Sequence, residues 1–118
     1  MARNISFALT TPQFLDGSKD VTRRLGWEKL KAGDLLCAVK KGMGLKPGEK
    51  VERLGMIRVL SVRREPVHSI MLDDVTREGF PGWSRQQFID FFCKSHRPCE
   101  PHWDITRIEF ERIPDPSP

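Results

Sequence analysis

The chain has 118 residues, 38% hydrophobic and 31% charged, proportions of a water-soluble globular protein rather than a disordered segment. No apolar run approaches the roughly 20 residues that span a bilayer, and the start, Met1 to Ile5, lacks the apolar core of a secretory signal, so a cytoplasmic protein with no membrane partner is expected. Twenty basic against 16 acidic side chains leave a net charge of +4, which favours an anionic partner such as a nucleotide or nucleic acid. Three cysteines, Cys37, Cys93 and Cys99, leave one unpaired under any disulfide scheme, in keeping with a reducing compartment.

A chain this short builds one core, and residues 1 to 113 are expected to form one domain. Ile5 to Leu9 reads as a first strand. Thr10, Thr11 and Pro12 then supply a hydroxyl cap and a first-turn proline for a short helix, Gln13 to Asp16, which Gly17 ends. Val21 to Leu25 alternates apolar and polar residues as a strand does. Lys31-Ala-Gly33-Asp34 is a turn before the apolar run Leu35 to Val39, a buried strand. Lys40 to Lys50, rich in glycine and lysine, reads as a mobile hairpin loop or as a grip for phosphates, although P-loop spacing is absent.

Arg53 to Arg63 is the longest strand expected. A helical piece runs from His68 to about Val75, and Ser84 caps another, Arg85 to Lys94, with Phe88, Ile89, Phe91 and Phe92 on its apolar face. Asp104 to Ile113 closes the sheet. The proline-rich tail from Pro114 to Pro118 is expected to be disordered, since it cannot pair in a sheet. This order suggests a small β-barrel with helices at its side, an α+β fold of five to six strands with two or three flanking helices.

The segment Gly17-Ser-Lys-Asp-Val-Thr-Arg-Arg24 carries the most chemistry. Strand neighbours two apart share a face, so Thr22 and Arg24 can point into one pocket, while Lys19 must reach them from the turn made by Gly17 and Ser18. An amine that loses its proton can take one from a hydroxyl, which makes Lys19 and Thr22 a base and nucleophile pair. The same residue types are common on solvated strand ends. The octapeptide alone therefore leaves both readings open.

Together with the Lys31-Ala-Gly33-Asp34 turn, the Glu78-Gly79-Phe80 block and the closing Ile105 to Phe110, the residues Gly17, Lys19, Thr22 and Arg24 resemble the ASCH domains, small β-barrels of the PUA-like group. The resemblance spans residues 4 to 113. It implies one of several activities: RNA binding, ribonuclease action, or hydrolysis of the acyl amide of N4-acetylcytidine. In that last, bacterial branch a lysine, a threonine three residues later and a distant glutamate form the active site, and Lys19, Thr22 and Glu78 match them. Many other ASCH sequences carry glutamate where this chain has Thr22, which favours the amidohydrolase branch. The chain departs from that branch by extra length in the Lys40 to Lys50 loop and between Glu78 and the last strand.

On this reading Thr22 attacks the acyl carbonyl, Lys19 takes its proton, and Glu78 relays the proton to the leaving amine. Backbone N–H groups of Gly17 to Asp20 are expected to hold the oxyanion, and Arg24, Ser18 and Trp83 to bind the substrate, a modified pyrimidine nucleoside. No cofactor and no metal are expected, and the protein is expected to be a monomer or weak dimer. Glu78 also reads as a solvated acid at a helix end. Trp27, Trp83 and Trp103 read as core or as base-stacking surfaces, Trp83 being the one expected at the pocket because functional residues concentrate on loops.

Cys93, His96, Cys99 and His102 recur every third residue, but Pro98 and Pro101 break any helix that would align them, and buried cysteines with surface histidines are expected instead of zinc. The alternative to the enzyme is a non-catalytic RNA-binding module in which Lys19, Arg23, Arg24, Lys40, Lys41, Lys46 and Lys50 contact phosphates. A ribonuclease ranks third, since no histidine lies near the motif in sequence to act as acid or base.

Overall fold

The computed structural model describes residues 3–41 and 45–114. The tail beyond Pro114 and the centre of the Lys40 to Lys50 loop lie outside them. Five strands, β1 (Arg3–Ser6), β2 (Val21–Arg24), β3 (Leu35–Val39), β4 (Arg53–Pro66) and β5 (Asp104–Ile113), form one sheet in the order β1-β3-β4-β5-β2. Only β1 and β3 run parallel. The sheet curls into a half-barrel accompanied, among the described residues, by three helices, α1 (Thr11–Asp16), α2 (Leu72–Arg77) and α3 (Arg85–Ser95), and one 3₁₀ turn, Val67–Ser69.

The curl has a local cause. Val59 faces Phe110 and Ser61 faces Glu109, so Leu60 is one residue too many and makes a bulge in the long strand. A bulge bends its strand and increases the twist. The turn before β3 fastens to the same place: Gly33 donates to the Val59 carbonyl at 2.7 Å, and Val59 N–H donates to Asp34. The Asp34 carboxylate in turn accepts from the Lys31 amide at 2.9 Å. This motif shapes the barrel.

Inside the half-barrel Ile5, Phe7, Phe14, Leu36, Ile57, Val59, Ile108 and Phe110 make one core. A second lies between the helices and the end of the sheet, built from Val67, Ile70, Val75, Phe88, Ile89, Phe92, Cys99 and Ile105. No helix among the described residues is long and apolar enough to cross a membrane.

Local differences from the sequence reading have physical reasons. The first strand ends at Ser6, because Phe7 to Thr10 close a turn through Thr10 N–H and the Phe7 carbonyl, 3.0 Å apart. Thr10 does not cap α1 with its side chain; Thr11 ties the turn down instead, its hydroxyl donating to the Phe7 carbonyl at 2.8 Å. The expected helix from His68 to Val75 is broken at Ile70 and Met71, which are extended. The Arg85 guanidinium takes the His68 and Ile70 carbonyls that a continuous helix would use.

Candidate active site

β1 and β2 are the two edges of the sheet, and a side chain spans the gap between them. Arg24 of β2 donates from Nη2 to the Ser6 carbonyl of β1 at 2.6 Å and from Nε to Thr22 Oγ1 at 2.9 Å. Its guanidinium also lies 5.1 Å from the Phe7 ring centre, a cation–π contact. A cavity of about 230 Å³ opens at this gap, lined by Ser6 to Thr10, Lys19, Thr22 to Arg24, Glu78, Phe80, Phe88, Phe91, Phe92 and His96. It is smaller than the roughly 300–1,000 Å³ of drug-sized ligand sites.

The turn after α1 aims Lys19 inward. Gly17 ends the helix at φ +84°, a left-handed conformation that glycine adopts without strain. The next amides wrap back: Ser18 N–H donates to Asp16 Oδ1, Lys19 N–H to the Gln13 carbonyl and Asp20 N–H to the Arg77 carbonyl. Gly17 N–H is itself spent on Phe14. All four amides of Gly17 to Asp20 are therefore engaged, and the oxyanion role expected of them is ruled out. Leu9 is among the residues that line the cavity, and its amide has no acceptor among the described residues.

Glu78 is the C-terminal cap of α2 and only 3% exposed, so it is not a solvated helix-end acid. Gly79 lets it come this close. At φ +105° Gly79 lies against Gln13, where an added Cβ would meet side-chain carbons at 2.9 Å, so α2 docks directly on α1. Lys19 Nζ then donates to the Glu78 carbonyl at 2.8 Å and to Glu78 Oε1 at 2.7 Å, while Arg23 reaches Oε2 at 3.4 Å. Arg23 also pairs with Glu65 and Asp74 at 2.7 and 2.8 Å, and its Nε has no partner among the described residues.

These contacts tune the charges. Burial lowers the Lys19 ammonium below its ordinary 10.5; the Glu78 carboxylate opposes that shift, and Arg24 and Arg23 add to it. Burial likewise lowers Arg24 to about 10, against the pull of Glu78. Burial would raise Asp74, but hydrogen bonds and charge from Arg107 and Arg23 win and hold its carboxyl well below the usual carboxylate range. Thr22, 3% exposed, accepts from Arg24, and no hydrogen bond joins its hydroxyl to Lys19 among the described residues. The arrangement combines a buried amine with lowered basicity, a hydroxyl oxygen held by a cation, and a carboxylate that orients the amine.

Lys19, Thr22, Arg24 and Glu78 thus line one cavity. Ser18 and Trp83 do not. Ser18 is exposed and its hydroxyl returns to the Gln13 carbonyl at 3.4 Å; Trp83 stands behind the wall, stacked on Phe80 at 4.4 Å and edge-on to Phe91. The wall residues that sequence reasoning missed are Ser6 to Thr10, Phe80, and the side chains of α3 and its C-terminal cap. Phe88, Phe91 and Phe92 were legible as an apolar face, but a core and a pocket wall look alike in one sequence. His96 corrects the view that no histidine is near the motif, because the fold brings it to the same cavity as Thr22. The ground for ranking a ribonuclease third is thereby removed.

Cys93, His96, Cys99 and His102 do not all meet at one point. Cys93 Sγ lies 3.6 Å from Cys99 Sγ, both thiols free, whereas His96 Nδ1 bonds the Phe92 carbonyl and His102 is exposed. No metal-holding group of three or more His, Cys, Asp or Glu occurs among the described residues.

No family model and no curated protein matches the sequence. Solved structures do. A DUF984-family protein from Enterococcus faecalis superposes with a TM-score of 0.65 at 18% identity, over 89% of this chain and 67% of its own. An ASCH domain from Lactobacillus crispatus gives 0.60 at 14% identity, over 93% and 79%. The ASCH protein of Zymomonas mobilis gives 0.58 at 18%, over 92% and 65%. The fold is that of the ASCH domains. At such identities the likeness is one of architecture, and function has to be argued from the residues of this cavity.

Proposed function

We propose that the protein is an amidohydrolase that removes the acyl group from N4-acylated cytosine nucleosides, converting N4-acetylcytidine to cytidine and acetate. The observation that carries the reading is the buried Lys19–Glu78 pair at 2.7 Å on the wall of the cavity that also holds Thr22. A buried lysine with lowered basicity is expensive to keep, and a general base is what such a group supplies.

Neutral Lys19 takes the proton of the Thr22 hydroxyl as Oγ1 bonds to the acyl carbon. The C–N4 bond then breaks, and Glu78, whose Oε1 lies 2.7 Å from Lys19 Nζ, takes the proton from Lys19 and relays it to the leaving amine. Water next attacks the acyl-threonine, with Lys19 again as base, releasing acetate and regenerating the hydroxyl. The Leu9 amide and the Arg24 guanidinium are the wall donors suited to the carbonyl oxygen as its charge develops. The aromatic wall takes the flat cytosine ring.

The test is to follow the ultraviolet change as acetylcytidine loses its acyl group, with wild-type protein and with Thr22→Ala. Wild-type turnover and a dead variant are expected; a Thr22→Ala protein as fast as wild type would overturn the mechanism. The RNA-binding reading draws on Lys40, Lys46 and Lys50, which are exposed. Two of the cations it assigns to phosphates, Lys19 and Arg23, are at most 4% exposed and already ion-paired. That weighs toward the enzyme.

A further inference from the structure

The α3 wall ends in a residue that the proposed chemistry does not use. His96 is the C-terminal cap of α3, half-buried, and lines the cavity beside Phe91 and Phe92. Its ring stacks on Phe92, centres 4.1 Å and planes 20° apart, and its Nδ1 lies 2.9 Å from the Phe92 carbonyl oxygen. A carbonyl only accepts, so Nδ1 carries the hydrogen of that bond. In the neutral ring Nε2 is then the nitrogen with the lone pair. It has no partner among the described residues.

We propose that His96 is a specificity-determining residue whose Nε2 accepts a hydrogen bond from a sugar hydroxyl of the bound nucleoside. The inference rests on the amidohydrolase reading and assigns the residue by which that site tells a nucleoside from a bare acylated base. On an N4-acylated cytosine ring N3 and O2 only accept, so neither offers anything to a lone pair. The exocyclic amide N–H donates, but it adjoins the scissile bond, where Thr22, Lys19 and Glu78 operate. The donors left for His96 are the sugar hydroxyls. A site built to pair with a hydroxyl rejects the analogue that lacks it, because the acceptor, half-buried here and covered further by the ligand, is then left without a partner.

Calorimetric titration with cytidine and with 1-methylcytosine, neither of which can be hydrolysed, reads this contact directly. Wild-type protein is expected to bind cytidine about tenfold more tightly than 1-methylcytosine, the scale of one hydrogen bond to an otherwise unpaired group. His96→Phe keeps an aromatic ring but no acceptor, and should bind both alike. His96→Gln, whose amide oxygen can accept, should recover part of the preference. In acetylcytidine turnover the loss in His96→Phe is expected mainly in KM. A wild type without the preference, a preference that survives in His96→Phe, or an equal loss for both ligands would overturn the inference. Absence of acetylcytidine hydrolysis in wild type overturns the amidohydrolase reading instead, whatever the two titrations give.

Discussion

The two walls of the cavity are held by different physics. The polar wall, from β1, β2 and the end of α2, depends on discrete hydrogen bonds of 2.6–3.4 Å that join Arg24 to Ser6, Lys19 to Glu78 and Glu78 to Arg23. The aromatic wall is the outer layer of a core, since Phe88 and Phe92 are also members of the helical cluster. A change on the first wall should therefore remove chemistry with a modest effect on folding where no charge is left unpaired. A change on the second should cost stability and binding together.

The largest effect is expected on the polar wall. Thr22→Ala and Lys19→Met should each lower acetylcytidine turnover by at least about 10³-fold, and the double variant should be little worse, because the two act as one unit. Thr22→Ser should keep some activity. Lys19→Met leaves the buried Glu78 with Arg23 alone, at 3.4 Å, to offset its charge, a loss of up to about 3–5 kcal/mol. Adding Glu78→Gln removes both charges and should restore much of the stability seen in denaturant melts, with no return of activity. Recovery of turnover in that double variant would detach the pair from catalysis.

On the aromatic wall, Phe88→Ala should destabilise the fold by about 3–5 kcal/mol, measured by urea unfolding. Phe91→Ala, at a half-buried position, should cost less stability and raise KM. If Phe88→Ala left stability unchanged, the wall would not double as core.

Gly79→Ala tests the join between the walls. A left-handed φ and a 2.9 Å approach to Gln13 together predict a loss of about 1–3 kcal/mol and a larger drop in kcat than in stability, as α2 backs away and carries Glu78 from Lys19. A Gly79→Ala protein with normal turnover would show that the close docking is dispensable.

pH separates the charges. Lys19 is lowered in the folded protein, so turnover should rise with pH along a limb below the ordinary 10.5. The folded state also sheds that proton first, so this group's contribution to stability rises with pH up to 10.5. Asp74 is depressed by its arginines, so its contribution is complete above the unfolded value of 3.8 and is lost as pH falls below it. Thermal melts at pH 3 to 6 and a pH–rate profile check both signs.

The smallest effect expected is that of salt on hydrolysis of the neutral nucleoside. Binding of single-stranded RNA through lysines would instead fall with a log–log slope near −0.7 per neutralised phosphate. Tight, steeply salt-dependent RNA binding without hydrolysis would favour the binding-module reading.

Local pattern determined a good deal of this protein. The strands Leu35–Val39 and Asp104–Ile113 and the cap of α3 at Ser84 follow from apolar runs, alternation and a hydroxyl at the right place, because those signals act over a few residues. Lys19 and Thr22 were legible for the same reason, as close neighbours in one segment. Tertiary structure decided the rest. Whether Glu78 is solvated or buried against Lys19 depends on how closely Gly79 meets Gln13, 66 positions away. Whether the amides after Gly17 are free depends on acceptors in α1 and at Arg77. Whether the phenylalanines of α3 fill a core or line a cavity, and whether His96 lies on the open surface or on a cavity wall, depends on which sheet edge the helix is packed beside. Periodicity reports that a face will be covered; the partner that covers it is set by contacts far apart in the chain.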